Sequence, residues 1–158
     1  MTKLLGIKSD DEFVSLIDRE APLGEGTGRR VYAVIGCTDV VIKESKAPFH
    51  YANFVEWTVW NALVRMGEDI IGNRPNADLK QLFAECFSIS HSAKYLMMER
   101  LQKFEAGDAP PLTRLPFWTN DKKPSAFGKT AAGEVKVIDY GMVNFYDALN
   151  PENRKPLF

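Results

Sequence analysis

Gly107, Pro110, Pro111 and Pro116 all fall within residues 102–118. That density forbids a long uninterrupted helix, because each proline lacks a backbone amide and disfavours helical geometry in the residue before it. The stretch reads as a linker. It divides an N-terminal unit over 1–101 from a shorter C-terminal unit over 119–158. At 158 residues and 45% hydrophobic content, the chain suffices for one domain with a real core or for two small lobes.

In the N-terminal unit, Ser9-Asp10-Asp11-Glu12 is a capping box, and Phe13, Leu16 and Ile17 then share one helical face, so a helix is expected over about 9–19. Leu23 to Tyr32 carries Gly24, Gly26 and Gly28 ahead of the β-branched and aromatic run Val31 to Ile35. This reads as strand, glycine-rich turn and strand. After a turn at Cys37-Thr38-Asp39, Val40-Val41-Ile42-Lys43 is a third strand with a lysine at its end. From Phe49 to Met66 the spacing is helical, with Tyr51, Val55, Val59 and Ala62 on one stripe and Glu56, Trp60 and Leu63 beside it. A third helix is expected from Asn76 to about residue 86, followed by a hairpin whose strands are Phe87–Ser90 and Lys94–Arg100. The sheet is expected to have five strands.

The C-terminal unit centres on a hairpin. Phe127–Thr130 and Glu134–Ile138 are its strands, joined by Ala131-Ala132-Gly133, and Asp121 and Asp139 lie on either side of it in sequence, presented from loops at the same end. Two carboxylates so placed suit a hard cation such as Mg²⁺. Aspartate is also a common turn residue, and that reading stays open here.

The composition narrows the function classes. A formal charge of −1 offers no basic face for nucleic acid or an anionic membrane. No apolar run approaches the ~20 residues a membrane-spanning helix needs, and the N-terminus is not a secretory signal, so a cytoplasmic protein is expected. Cys37 and Cys86 lack metal-ligand spacing, which argues against zinc.

Taken in order, the glycine-rich hairpin, the strand lysine, the helix glutamate, the apolar strand, the loop aspartate and Asp139-Tyr140-Gly141 together resemble the protein-kinase-like family. The resemblance spans roughly residues 23–141. It implies an α+β protein-kinase-like fold with a five-stranded antiparallel N-lobe and a severely reduced C-lobe. It also implies that Gly24, Gly26, Gly28 and Val31 cover a nucleotide and that Lys43, held by Glu56, meets its phosphates. Met98 would guard the base pocket, with the backbone of Glu99 and Leu101 facing the base. By the same resemblance Asp121 is the catalytic aspartate, Lys123 contacts the γ-phosphate, Asp139 is the metal ligand, and the cofactors are ATP and Mg²⁺.

Four departures set the chain apart from the family. Arg29 stands where the motif's third glycine belongs, and Ala126 where a second metal-binding asparagine belongs. Only twenty-two residues separate Met98 from Asp121, and seventeen follow Gly141 with no Ala-Pro-Glu, leaving little to hold a peptide substrate. Two functions remain. The favoured one is a pseudokinase that binds or inhibits a host or partner protein, in the manner of compact phage proteins, with nucleotide binding retained. Its contact residues would include Phe117, Trp118, Phe145, Tyr146, Leu157 and Phe158. The alternative is an active Mg·ATP-dependent phosphotransferase.

Overall fold

The computed structural model describes residues 3–67, 70–71, 74–75, 79–104, 115–119 and 123–150, with 50, 66–67, 70–71 and 74–75 described in their backbone only. The chain divides into two compact units, Met1–Trp57 with Glu85–Arg100, and Thr58–Ala84 with Leu101–Phe158. The divisions fall inside helix α2 (His50–Gly67), between Ala84 and Glu85, and just after strand β8 (Tyr95–Glu99).

The first unit holds a mixed six-stranded sheet. Strands β2 (Ile17–Glu25), β3 (Arg29–Val34) and β4 (Cys37–Ser45) form an antiparallel meander, β4 pairs with β8, and β8 pairs with β7 (Cys86–Ser90). The expected count of five is corrected by β1 (Gly6–Lys8), which lies parallel to β7 at the sheet edge. Three residues pairing with a partner some eighty positions away leave no periodic trace in the sequence.

Helix α1 spans Asp10–Val14, shorter than the expected 9–19. Its start is as read, with the Ser9 hydroxyl accepting from the Glu12 amide and the Glu12 carboxylate accepting from the Ser9 amide. Its end is set by the sheet, which takes Ile17 as the first residue of β2. Phe13, Ile17, Tyr32, Val34, Val40, Ile42, Tyr95 and Met97 form one buried cluster, with Phe13 stacked on Tyr95 at 5.9 Å. On the polar edge of this sheet face, Arg19 forks onto Glu44 at 3.0 and 2.8 Å and ties β2 to β4.

The second unit contains the two-residue strands β5 (Ile70–Ile71) and β6 (Arg74–Pro75), which pair with each other. A 3-10 turn over Leu79–Leu82 stands where a longer helix to 86 is expected, because Cys86 already belongs to β7. The hairpin is present as β10 (Phe127–Lys129) and β11 (Val135–Val137), with Gly133 at φ +86° in its turn. Strand β9 (Gln102–Lys103), drawn from the start of the proline-rich stretch, adds to β10. Residues 105–114 lie outside the described residues. Helix α3 (Phe145–Leu149) follows, capped by the Asn144 side chain on the Asp147 amide.

The core of this unit is aromatic. Phe83 stacks on Trp118 at 5.4 Å and meets Tyr140 edge-on at 5.2 Å, while the Tyr140 hydroxyl donates to the Ala84 carbonyl at 2.8 Å. Trp118 is therefore buried, which removes it from the expected contact residues, and Phe145 is half-buried. Phe117 and Tyr146 are exposed; Leu157 and Phe158 lie outside the described residues. Among the described residues no helix is long and apolar enough to cross a membrane.

Candidate functional site

Strand register assembles the candidate residues of the first unit. Gly24, Val31, Lys43 and Leu96 are successive cross-strand partners on β2, β3, β4 and β8, so they share one face of the sheet. Side chains two residues apart on a strand point the same way, which adds Arg29 and Met98 to that face. The opposite face carries the Phe13 cluster. The alternation in β3 and β4 therefore places Arg29 and Lys43 on the face away from that core.

Helix α2 supplies the counter-charge. Its buried positions include Ala52, Asn53, Glu56, Val59 and Leu63, whereas Tyr51 is exposed. The buried stripe is thus rotated by about one residue from the expected Tyr51–Val55–Val59–Ala62 line, and it brings Asn53 and Glu56 inward one helical turn apart. Lys43 Nζ lies 2.8 Å from Glu56 Oε1 and 3.2 Å from Oε2. Arg29 spans the same carboxylate, with Nη1 at 2.5 Å from Oε1 and Nη2 at 3.0 Å from Oε2.

Glu56 is fully buried, which by itself would push its carboxyl pKa up. The fields of Arg29 and then Lys43, with hydrogen bonds from both, outweigh that and hold it at about 2. Asn53, also fully buried, completes the group. Its Oδ1 accepts from Arg29 Nη1 at 3.2 Å, and its Nδ2 donates to the carbonyls of Lys43, Ala93 and Lys94 at 3.2, 3.0 and 2.9 Å.

The glycine-rich turn is tied down. The Gly26 amide donates to the Arg29 carbonyl at 2.9 Å, and the Lys46 amide donates to the Gly28 carbonyl at 2.8 Å. The Lys46 ammonium meets Glu25 Oε1 at 2.5 Å and the Gly26 carbonyl at 2.9 Å. Gly28 packs against Phe49, where a Cβ would come within 3.1 Å of the ring.

Met98 is buried in β8, and Glu99 ties back to the start of β7. The Glu99 amide donates to the Glu85 carbonyl at 2.8 Å, and the Glu99 carboxylate accepts from the Glu85 amide at 3.1 Å.

Leu101, Lys123 and Asp139, also singled out by the sequence, belong to the second unit. Leu101 packs over Gly128, and Lys123 is exposed at the start of a 3-10 turn, Pro124–Ala126. Asp139 is half-buried just beyond β11; its amide and that of Ile138 both donate to the Ala126 carbonyl, at 3.3 and 2.8 Å. Asp121 lies outside the described residues. Among the described residues, no three His, Cys, Asp or Glu side chains gather into a metal-binding group.

Sequence reasoning passed over Arg29 and Asn53 as functional groups. The signal for both was present: Arg29 stands two residues before Val31 on one strand face, and Asn53 stands three residues before Glu56 on one helix face. Compared with protein-family models and with curated proteins, the chain matches none.

Proposed function

We propose that this chain is a kinase-like binding module, a pseudokinase that acts by engaging a partner protein and retains a nucleotide-recognition lysine. The observation that carries the reading is the tied glycine-rich turn. A phosphate cover works through backbone amides aimed at the ligand, whereas here the Gly26 amide is bonded inside the turn and Lys46 holds both Gly26 and Gly28 by their carbonyls. Such a turn resists the motion that closes over a substrate and releases product.

The implied cofactors fit in part. Lys43, on a strand and held by a buried carboxylate, suits the phosphates of ATP, and Asp139 suits one Mg²⁺. Ala126 does not suit a second metal, because its side chain is a buried methyl group and its carbonyl already accepts two amides. For the partner surface, Phe117, Met142 and Tyr146 of the second unit, 61%, 62% and 80% exposed, are apolar residues of the kind enriched at interfaces. The second reading, an active phosphotransferase, is favoured by the 2.8 Å contact of Lys43 with Glu56.

The test measures melting temperature and ADP release with Mg·ATP, in the wild type and in Asp139→Ala. At about 100 times Kd, binding raises Tm by roughly 5–10 °C for a chain of this size. The module reading expects that rise with ADP release at background. ADP release that disappears in Asp139→Ala would establish the second reading, and a wild type with no rise would remove nucleotide recognition.

A further inference from the structure

The group around Glu56 contains more than a lysine and its counter-ion. One fully buried carboxylate receives a guanidinium across both oxygens and an ammonium straddling the same two. The two cations differ in kind. A guanidinium is a planar fork that fixes the plane of the carboxylate it grips, whereas an ammonium is a point charge on a flexible four-carbon stem. Arg29 therefore sets the carboxylate, and the carboxylate sets Lys43.

Asn53 closes the arrangement through one carboxamide. Its oxygen accepts from the head of Arg29, and its nitrogen donates to the backbone carbonyl of Lys43 itself. The same nitrogen reaches the carbonyls of Ala93 and Lys94 in the β7–β8 turn, which anchors the bracket to the sheet. Arg29, Lys43 and Asn53 come from β3, β4 and α2, and each is held by at least one of the others.

We propose that Arg29 and Asn53 are positioning residues for Lys43. Arg29 orients Glu56, Asn53 holds the head of Arg29 against the backbone of Lys43, and together they fix the direction of the Lys43 ammonium. The consequence for ligand binding rests on the reading of Lys43 as the nucleotide-facing lysine. The geometric claim stands without it. An arginine at the position of the motif's third glycine then acts inward, as part of the device that aims the lysine.

The test follows the Lys43 ammonium directly, by nitrogen-detected exchange of its protons with water in the full chain. In the wild type, Lys43 is 7% exposed, and slow exchange of its protons is the expected result. Arg29→Met raises that exchange roughly tenfold or more, the scale set by losing a charge-assisted hydrogen bond. Arg29→Lys fails to restore the slow rate, because a second point charge cannot fix the carboxylate plane. Asn53→Ser, which leaves all three charges in place, moves the rate in the same direction and serves where Arg29→Met does not fold.

Unchanged Lys43 exchange in a variant with the native backbone amide spectrum overturns the proposal, as does full rescue by Arg29→Lys. In parallel, the Mg·ATP-induced rise in Tm falls by roughly half in the same variants, the change expected when affinity drops about tenfold from a saturating ligand level. A wild type with no Mg·ATP rise defeats the nucleotide reading, and the exchange rates then decide the positioning claim by themselves.

Discussion

Arg29 and Glu56 meet through two parallel contacts, at 2.5 and 3.0 Å, on a carboxylate that also receives Lys43 at 2.8 Å. The carboxylate is fully buried and Arg29 nearly so, with side-chain exposures of 0% and 11%. Two cations thus share one anion in a poorly solvated place, and neither contact has an energy independent of the other.

A double-mutant cycle exposes that coupling. Arg29→Met and Lys43→Met each leave Glu56 with one of these cations, while the double variant strips both from a buried carboxylate. In urea unfolding, the double variant is expected to lose about 1–3 kcal/mol more than the sum of the single losses. Additivity would mean that Glu56 is stabilised elsewhere.

The same carboxylate predicts an acid response. Its pKa is depressed from 4.5 to about 2 in the folded chain. Between those values the unfolded chain binds the proton more readily, so stability is fully present above about 4.5 and is lost as pH falls toward 2. The loss from this one group is on the order of 3 kcal/mol, from about 1.4 kcal/mol per pKa unit. Glu56→Gln removes its share of the slope, and comparing urea midpoints of the two proteins across that range measures it.

Legibility in the sequence tracked the range of the interaction. The glycine-rich turn, the β4 lysine, the β10–β11 hairpin and the α1 capping box were readable because each is encoded within about ten residues, by turn chemistry, strand alternation or helical spacing. What failed was tertiary. Leu16 and Ile17 fit a helix face by periodicity, yet Ile17 enters β2 because the sheet core beside Phe13 gains more from it. Tyr51 falls on an apolar stripe of α2 by helical spacing, but the helix turns Ala52, Asn53 and Glu56 inward, where Glu56 meets Arg29 and Lys43 and Asn53 meets Arg29. Arg29 was legible only as a departure from a glycine motif, and its partner lies 27 positions away.

Gly128 tests the second unit. Its Cα approaches Leu101 so closely that an added Cβ would lie 2.7 Å from the Leu101 Cβ and 3.1 Å from Ile138 Cγ2. The Leu101 Cβ is rooted in backbone and cannot swing away, so Gly128→Ala is expected to cost about 1–3 kcal/mol. Gly26→Ala is the control, since nothing lies within 4 Å of a Cβ there. Equal Tm values for the two variants would contradict the close approach of β9 and β10.

Tyr140 sits in the aromatic core of the second unit, and the structure gives its hydroxyl a physical role. The ring would serve equally well as phenylalanine, edge-on to Phe83 at 5.2 Å, but the hydroxyl donates to the Ala84 carbonyl at 2.8 Å. Ala84 in turn donates its amide to the Val137 carbonyl at 2.9 Å, so the hydroxyl anchors the segment after the Leu79–Leu82 turn beside β11. Tyr140→Phe should therefore destabilise, by about 1 kcal/mol, since it removes a buried hydrogen bond while keeping the ring. Tyr140→Ala removes both and should cost about 3–5 kcal/mol. A Tyr140→Phe variant as stable as the wild type in urea would show that the ring alone holds this core, and that the tyrosine has no structural role here.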